Sequence, residues 1–385
     1  MYRKFKAAAI FTGNEMLEGK ILVTRNDGTI LELTDEHFAG DGVELLDGIL
    51  CPGFINCHCH MELSHMKGMI PEHTGLVDFI LKVVNDRHFE EEAILNAIES
   101  AEAEMLQNGI VAVGDICNNL FTLPQKRKGN LYYHNFIEAS GFTPEIAASR
   151  FKRSLDFYNE YITWQPASIV PHAPYSVSPE LFQMIINFPG NRLLTIHNQE
   201  EIAENYFFQK MGGDFLRLYD QMKVDISFFK ANGKTSLDTF YPYLKKEQSI
   251  ILVHNVVTSK ADLDLVKNGA EGWLCLCPNA NLYIGNQLPD VELFIENNCK
   301  MVIGTDSLAS NHQLSILEEL KILQSYFPKT ELAVLLKWAT LHGATALGIQ
   351  NDYGSFEKGK KPGIVLIDKI VGNKFSTTSK AKRIL

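Results

Sequence analysis

The chain has 385 residues, 45% hydrophobic and 21% charged, the balance of an ordinary water-soluble globular protein. Its formal net charge of -10 argues against a nucleic-acid partner, whose phosphates it would repel. The apolar run at 7–11 is too short for a secretory core and no later stretch reaches membrane-spanning length, so no membrane partner and a cytoplasmic setting are expected. Seven cysteines without a CxxC pair read as reduced thiols.

Residues 1–50 read as short strands at 7–11, 20–24 and 29–33, with the turn Asn26-Asp27-Gly28 between the last two. Such a piece is too small to bury its own core. The far end, 346–385, offers a partner, because Pro362-Gly363 leads into an apolar run at 364–368. A small β-sandwich domain built from both termini is therefore expected, with 51–345 inserted between its halves. That insert alternates strand-like runs at 54–57, 110–113, 132–137, 167–170, 193–196, 249–253, 273–276 and 301–303 with helical stretches. Helices are expected at 90–108, 316–326 and 331–341. Eight strands mostly followed by helices fit the α/β class and a (β/α)8 TIM-like barrel. A doubly wound sheet is the rival, weakened because no glycine-rich loop follows any strand.

Polar residues gather where these runs stop: His58 and His60, His172, His197, His254 and Asp306. In a parallel barrel all such strand ends open onto one face, so residues distant in sequence would converge on one pocket. Strand alternation puts His58 and His60 on one side and Cys57 and Cys59 on the other, so the cysteines are expected to pack in the wall. Two imidazoles on one face can grip a metal ion, and for any single histidine a loop or capping role is the alternative. Glu200, three residues past His197, is placed for general acid/base work or, equally, for the first turn of a helix. Glu201 and Glu204 read as a solvated face. His134 lies inside a strand and reads as a satisfied core residue. His37, His73, His88 and His342 read as ordinary, and His65 and His312 stay open as pocket-loop candidates.

The motifs PGFINCHCH at 52–60, PHAPYS at 171–176, HNQE at 197–200, LVHN at 252–255 and GTDS at 304–307 resemble the amidohydrolase superfamily. The resemblance is to the branch holding adenosine-type and guanine deaminases and triazine chlorohydrolases, and it extends to GATALG at 343–348 and GSFEKGK at 354–360. It implies that His58, His60, His197 and Asp306 bind one divalent metal ion, zinc first and iron second. No counterpart of a bridging lysine is evident, so one ion rather than two is expected. It further implies that Glu200 shuttles protons, His254 steadies the attacking hydroxide, Asp306 takes its proton, and His172 faces the substrate. The expected reaction is attack on a C–N carbon with loss of ammonia. A second deaminase chemistry, H-x-E followed by P-C-x-x-C, is excluded because no CxxC exists.

His172 with Pro174-Tyr175-Ser176 resembles adenosine-type and S-adenosylhomocysteine-type deaminases more than guanine deaminases. Met61-Glu62-Leu63-Ser64 resembles the aminodeoxyfutalosine deaminases, which would put Glu62 on the ribose hydroxyls. The arginine pair of homocysteine-type substrates is not evident. The expected substrate is a small molecule, a 6-aminopurine nucleoside derivative of the aminodeoxyfutalosine or adenosine type. The alternatives are a chlorohydrolase, guanine deaminase or iminohydrolase on the same site, or a non-catalytic relative. A homodimer is expected from the branch.

Overall fold

The eight apolar runs of the insert are long enough for strands and too short for helices, and their near-continuous hydrophobicity suits strands covered on both faces. The computed structural model, which describes residues 2–385, has all eight. They are Phe54–Cys59, Ile110–Cys117, Tyr132–Ala139, Ala167–Pro171, Leu193–Asn198, Ser249–His254, Glu271–Leu276 and Met301–Ile303. The first four form one parallel sheet and the last four another, each strand beside its neighbour in the chain.

The edges of the two sheets meet at both seams. At one, the His197 N–H donates to the His172 carbonyl at 2.9 Å. At the other, the N–H groups of Thr305 and Asp306 both donate to the His58 carbonyl at 3.1 Å. Asn56 reinforces the second seam: its amide donates to Thr305 Oγ1 at 2.7 Å and its carbonyl oxygen accepts from the Thr305 N–H at 3.1 Å. Gly304 makes this approach possible, because a Cβ there would lie 2.8 Å from His58 Cβ.

Several strands run further than the apolar pattern suggested. The second was expected to stop at Val113 but continues to Cys117 with every residue buried. Asp115 is tolerated inside it because Lys126 Nζ, from the helix Leu123–Lys126, sits 2.6 Å from its Oδ2. The third reaches Ala139 and so carries Glu138. Helices Glu91–Gln107 and Ile316–Tyr326 match expectation. The helix expected at 331–341 instead breaks into Leu332–Lys337, a π turn at Trp338–His342, and Gly343–Ala346. The extra residue of the π turn comes just before a close approach, for a Cβ on Gly343 would lie 2.7 Å from Ile55 Cβ.

The termini pair as expected. A five-stranded sheet joins Ala9–Phe11, Met16–Leu17 and Ile49–Pro52 to Ile364–Ile367 and Ala381–Arg383. A four-stranded sheet of Tyr2–Lys6, Lys20–Arg25, Ile30–Asp35 and Val43–Leu45 adjoins it. Phe5, Ile10, Leu22, Ile30, Leu50 and Ile364 pack into one apolar cluster drawn from both sheets. Among the described residues no helix is long and apolar enough to cross a membrane. All seven cysteines are free.

Candidate metal centre and active-site cavity

The first strand sets the geometry by simple alternation. Asn56 and His58 face one way, with His60 just past the strand end, whereas Cys57 and Cys59 face the other. Cys57 Sγ lies 3.8 Å from the Gly343 carbonyl, and both cysteines are buried in the apolar core, as expected. His60 Nε2 stands 3.2 Å from Nε2 of both His58 and His197. Asp306 Oδ1 lies 3.5 Å from His58 Nε2 and 3.4 Å from His60 Nε2. Two ligand atoms each about 2.0–2.1 Å from a tetrahedral ion are separated by about 3.3 Å, so these spacings fit one small divalent ion.

The protonation states point the same way. The His197 Nδ1–H donates to the His172 carbonyl at 2.8 Å, which leaves the Nε2 lone pair facing the cluster. Burial, then the neighbouring His172 and His58 rings, push His197 down to about 4. Burial, followed by the His58 ring, holds His60 well below its ordinary value. Both rings are neutral at pH 7, the form that ligates. Burial alone would raise the Asp306 carboxyl, but its hydrogen bond with His58 and the rings of His60, His58 and His254 hold it well below the usual range. Ser310 Oγ–H donates to its Oδ2 at 2.6 Å.

Two site residues sit in the left-handed backbone region, His254 at φ 75° and Asp306 at φ 56°. Such conformations cost about 1–3 kcal/mol each and persist where the surroundings fix them. Here the bond from the Asp306 N–H to His58 and one from the Asn255 N–H to the Asn198 carbonyl, at 3.0 Å, hold the two strand ends.

The Glu200 side chain, 7% exposed, sits beside this cluster. Burial, then Asp306, Glu204 and Glu201, push its carboxyl well above the ordinary value. Its Oε2 lies 3.6 Å from His254 Nε2, and the Asn281 amide donates to His254 Nδ1 at 3.0 Å, which fixes the ring proton on Nε2. His172 Nδ1 is 2.6 Å from Ser176 Oγ. Glu62 is buried, accepts from the Asn118 N–H at 2.9 Å, and is pushed up to about 7 by burial. A cavity of about 600 Å³ brings together every expected site residue except the fully buried His58.

Other expectations fare unevenly. His134 is a satisfied core residue, its Nε2 3.0 Å from Ser168 Oγ. His65 contacts the Arg87 carbonyl and His312 is exposed beside Glu72; neither lines the cavity. The solvated-face reading of Glu204 is overturned, since it is 0% exposed. Its carboxylate accepts from the N–H groups of Gln199 at 3.0 Å and Glu200 at 3.3 Å, so it holds the turn that presents Glu200. Glu201 is half-buried and accepts from the Leu76 N–H at 2.9 Å. Glu138, Asn118, Arg87, Arg150 and Arg153 also line the cavity, and the sequence reading had singled out none of them. The three arginines form no ion pair among the described residues. Arg150 and Arg153 stand three apart on the helix Ala147–Tyr161, a spacing that could have flagged a shared face.

Known proteins resemble this chain in sequence and in fold. The chain is 29% identical over 326 residues to an adenosine deaminase of Helicobacter pylori, covering 82% of this chain and 78% of that one. Its fold matches the crystal structure of Helicobacter pylori aminofutalosine deaminase in complex with methylthio-coformycin at a TM-score of 0.85, with 23% identity and 100% of both chains covered. It also matches a zinc-bound adenosine deaminase from Xanthomonas campestris at a TM-score of 0.70, with 19% identity over 95% of this chain and 84% of that one. The profile of the amidohydrolase family matches residues 49–384, and the chain belongs to that family.

Proposed function

We propose that the chain is a hydrolytic deaminase of a 6-aminopurine nucleoside derivative, of the adenosine or aminodeoxyfutalosine type, working with one divalent ion. The observation that carries the reading is Glu200, a carboxyl 7% exposed and pushed toward its protonated form beside a cluster of three histidines and one aspartate. His58, His60, His197 and Asp306 would hold the ion, and this donor set suits zinc first and iron second. Held there, an ion would supply the means to make hydroxide from water at neutral pH, where a bound water has a pKa of about 7.

The side chains do the rest. Asp306, already a carboxylate, accepts the proton that the attacking water gives up. Glu200 donates its proton to the ring nitrogen beside the carbon under attack, which draws electron density out of the C–N bond. Glu200 then takes up the proton of the added hydroxyl and returns to its starting state, the proton held by Asp306 passes to the amine, and ammonia leaves. The His254 Nε2–H steadies the developing negative oxygen, and His172 faces the purine. Glu62 accepts from the ribose. Arg87, Arg150 and Arg153 favour a nucleoside that carries an anionic substituent over a plain one.

In this reading residues 51–345 close as a (β/α)8 barrel, supported by the hydrogen bonds at both seams. Residues 1–50 and 346–385 form one β-sandwich domain, supported by the sheet that mixes both termini. The test is ammonia release by metal-loaded protein from adenosine, 5′-substituted adenosines, guanine and a chlorotriazine. Turnover of the adenosines is expected, fastest for those with an acidic 5′ substituent. Turnover of only guanine or the triazine would overturn the substrate assignment.

A further inference from the structure

Asn118 joins two carboxylates of the cavity. Its backbone N–H donates to Glu62 Oε2 and its side-chain amide to Glu138 Oε2, each at 2.9 Å. Each acid thereby commits one oxygen. The other oxygen of Glu138, Oε1, has no hydrogen-bond partner among the described residues, although the side chain is only 6% exposed. His197 Nδ1 stands 3.7 Å from it but gives its proton to the His172 carbonyl at 2.8 Å. Glu62 Oε1 likewise receives no hydrogen bond among the described residues. A buried acceptor without a donor is rare in a finished structure and points to a guest that brings one.

Both acids line the cavity that contains Glu200 and His254. One residue thus grips both acids, and each keeps an Oε1 that accepts from no protein group among the described residues. Two acceptors tied to one residue and offered to a ligand rather than to the protein match two O–H donors of one guest. We infer that Glu138, yoked to Glu62 through Asn118, completes a clamp for the vicinal hydroxyls of the substrate's sugar, with Glu138 Oε1 accepting one hydroxyl hydrogen and Glu62 Oε1 the other. This rests on the nucleoside reading above and adds Glu138 and Asn118 as specificity-determining residues. A site built this way rejects an analogue without the hydroxyls, because its acceptors are then left buried and unpaired.

The test crosses substrate with residue. Adenosine and 2′,3′-dideoxyadenosine are assayed with metal-loaded wild type and with Glu138→Gln, which keeps the shape and the Asn118 contact region. For adenosine, kcat/KM should fall about 10- to 100-fold in the variant, mostly through KM, the effect of losing a hydrogen bond to a charged group. For the dideoxy compound it should hold, with metal content equal to wild type. An equal fall on both substrates would mean that Glu138 acts through His197, and no fall on adenosine would mean no contact; either overturns the clamp. If wild type deaminates neither these compounds nor any 5′-substituted adenosine, the function proposal fails by itself. The clamp is then read by calorimetric titration with inosine and 2′,3′-dideoxyinosine. A preference for inosine that Glu138→Gln abolishes supports the clamp, and equal binding overturns it.

Discussion

Two buried polar clusters lie next to each other in this protein, and they are opposites. In the first, Asp115 and Lys126 form an ion pair at 2.6 Å with both side chains no more than 1% exposed. Lys126 also donates to Asn135 Oδ1 at 2.9 Å and to Cys117 Sγ at 3.2 Å, while Asp115 Oδ1 accepts from the Met61 N–H at 2.9 Å. Every donor there meets an acceptor. In the second, His58, His60, His197 and Asp306 turn ring nitrogens and a carboxylate oxygen toward one another at 3.2–3.5 Å, more acceptor sites than protons to share. Burial and charge are common to both. What separates a structural cluster from a binding one is whether its donors and acceptors balance without a guest.

The sharpest way to break the comparison is to remove a ligand. Wild type should hold about one divalent ion per chain, and His58→Ala or Asp306→Ala should lose most of it together with essentially all activity. Elemental analysis checks this, and two ions per wild-type chain would overturn the one-metal reading. Next in size is Glu200→Gln, which keeps the shape and removes the titrating group. Metal content should survive, and kcat should fall by about 10²–10⁴-fold, the usual worth of general acid/base catalysis. Near wild-type activity would assign the shuttle to another residue.

The smallest effect on chemistry, though a large one on stability, is expected at the balanced cluster. Lys126→Met strands the Asp115 charge and should destabilise the fold by about 3–5 kcal/mol in denaturant titration. Adding Asp115→Asn should recover much of that, and both variants should still bind the ion when folded. A folded Lys126→Met protein without metal would show that the clusters are not separate. Burial alone would lower the Lys126 ammonium, but Asp115 outweighs it and raises its pKa. Its contribution is therefore complete below the ordinary lysine value of about 10.4 and is lost only as pH rises through the higher native value.

The unbalanced cluster was the legible one. His58, His60, His197 and Asp306 each end an apolar run, so strand alternation and a shared open face are enough to bring them together. The balanced one was invisible because Asp115 interrupts the apolar pattern and looks like the end of a strand. Only Lys126, reaching in from the following helix, lets that strand continue. Glu204 misled for a related reason. Its helix inverts the usual pattern, with Ile202 64% exposed and Glu204 buried, because the carboxylate answers two backbone N–H groups of the Glu200 turn. Glu138 and Arg87 carry no local signature at all, and Arg150 and Arg153 only their three-residue spacing; what they share is a cavity that exists only after folding.

The Asn56–Thr305 pair has a consequence for how the chain reaches this state. Its partners are 249 residues apart, so that seam cannot form until all the intervening strands have been synthesised and docked. Three of the four candidate ligands, from the first and fifth strands, precede it, and Asp306 arrives with the seam itself. A nascent chain released before residue 306 therefore lacks both the seam and the carboxylate. On the one-metal proposal, affinity for the ion is then acquired in one late step, and the ion rewards completed chains rather than guiding early ones.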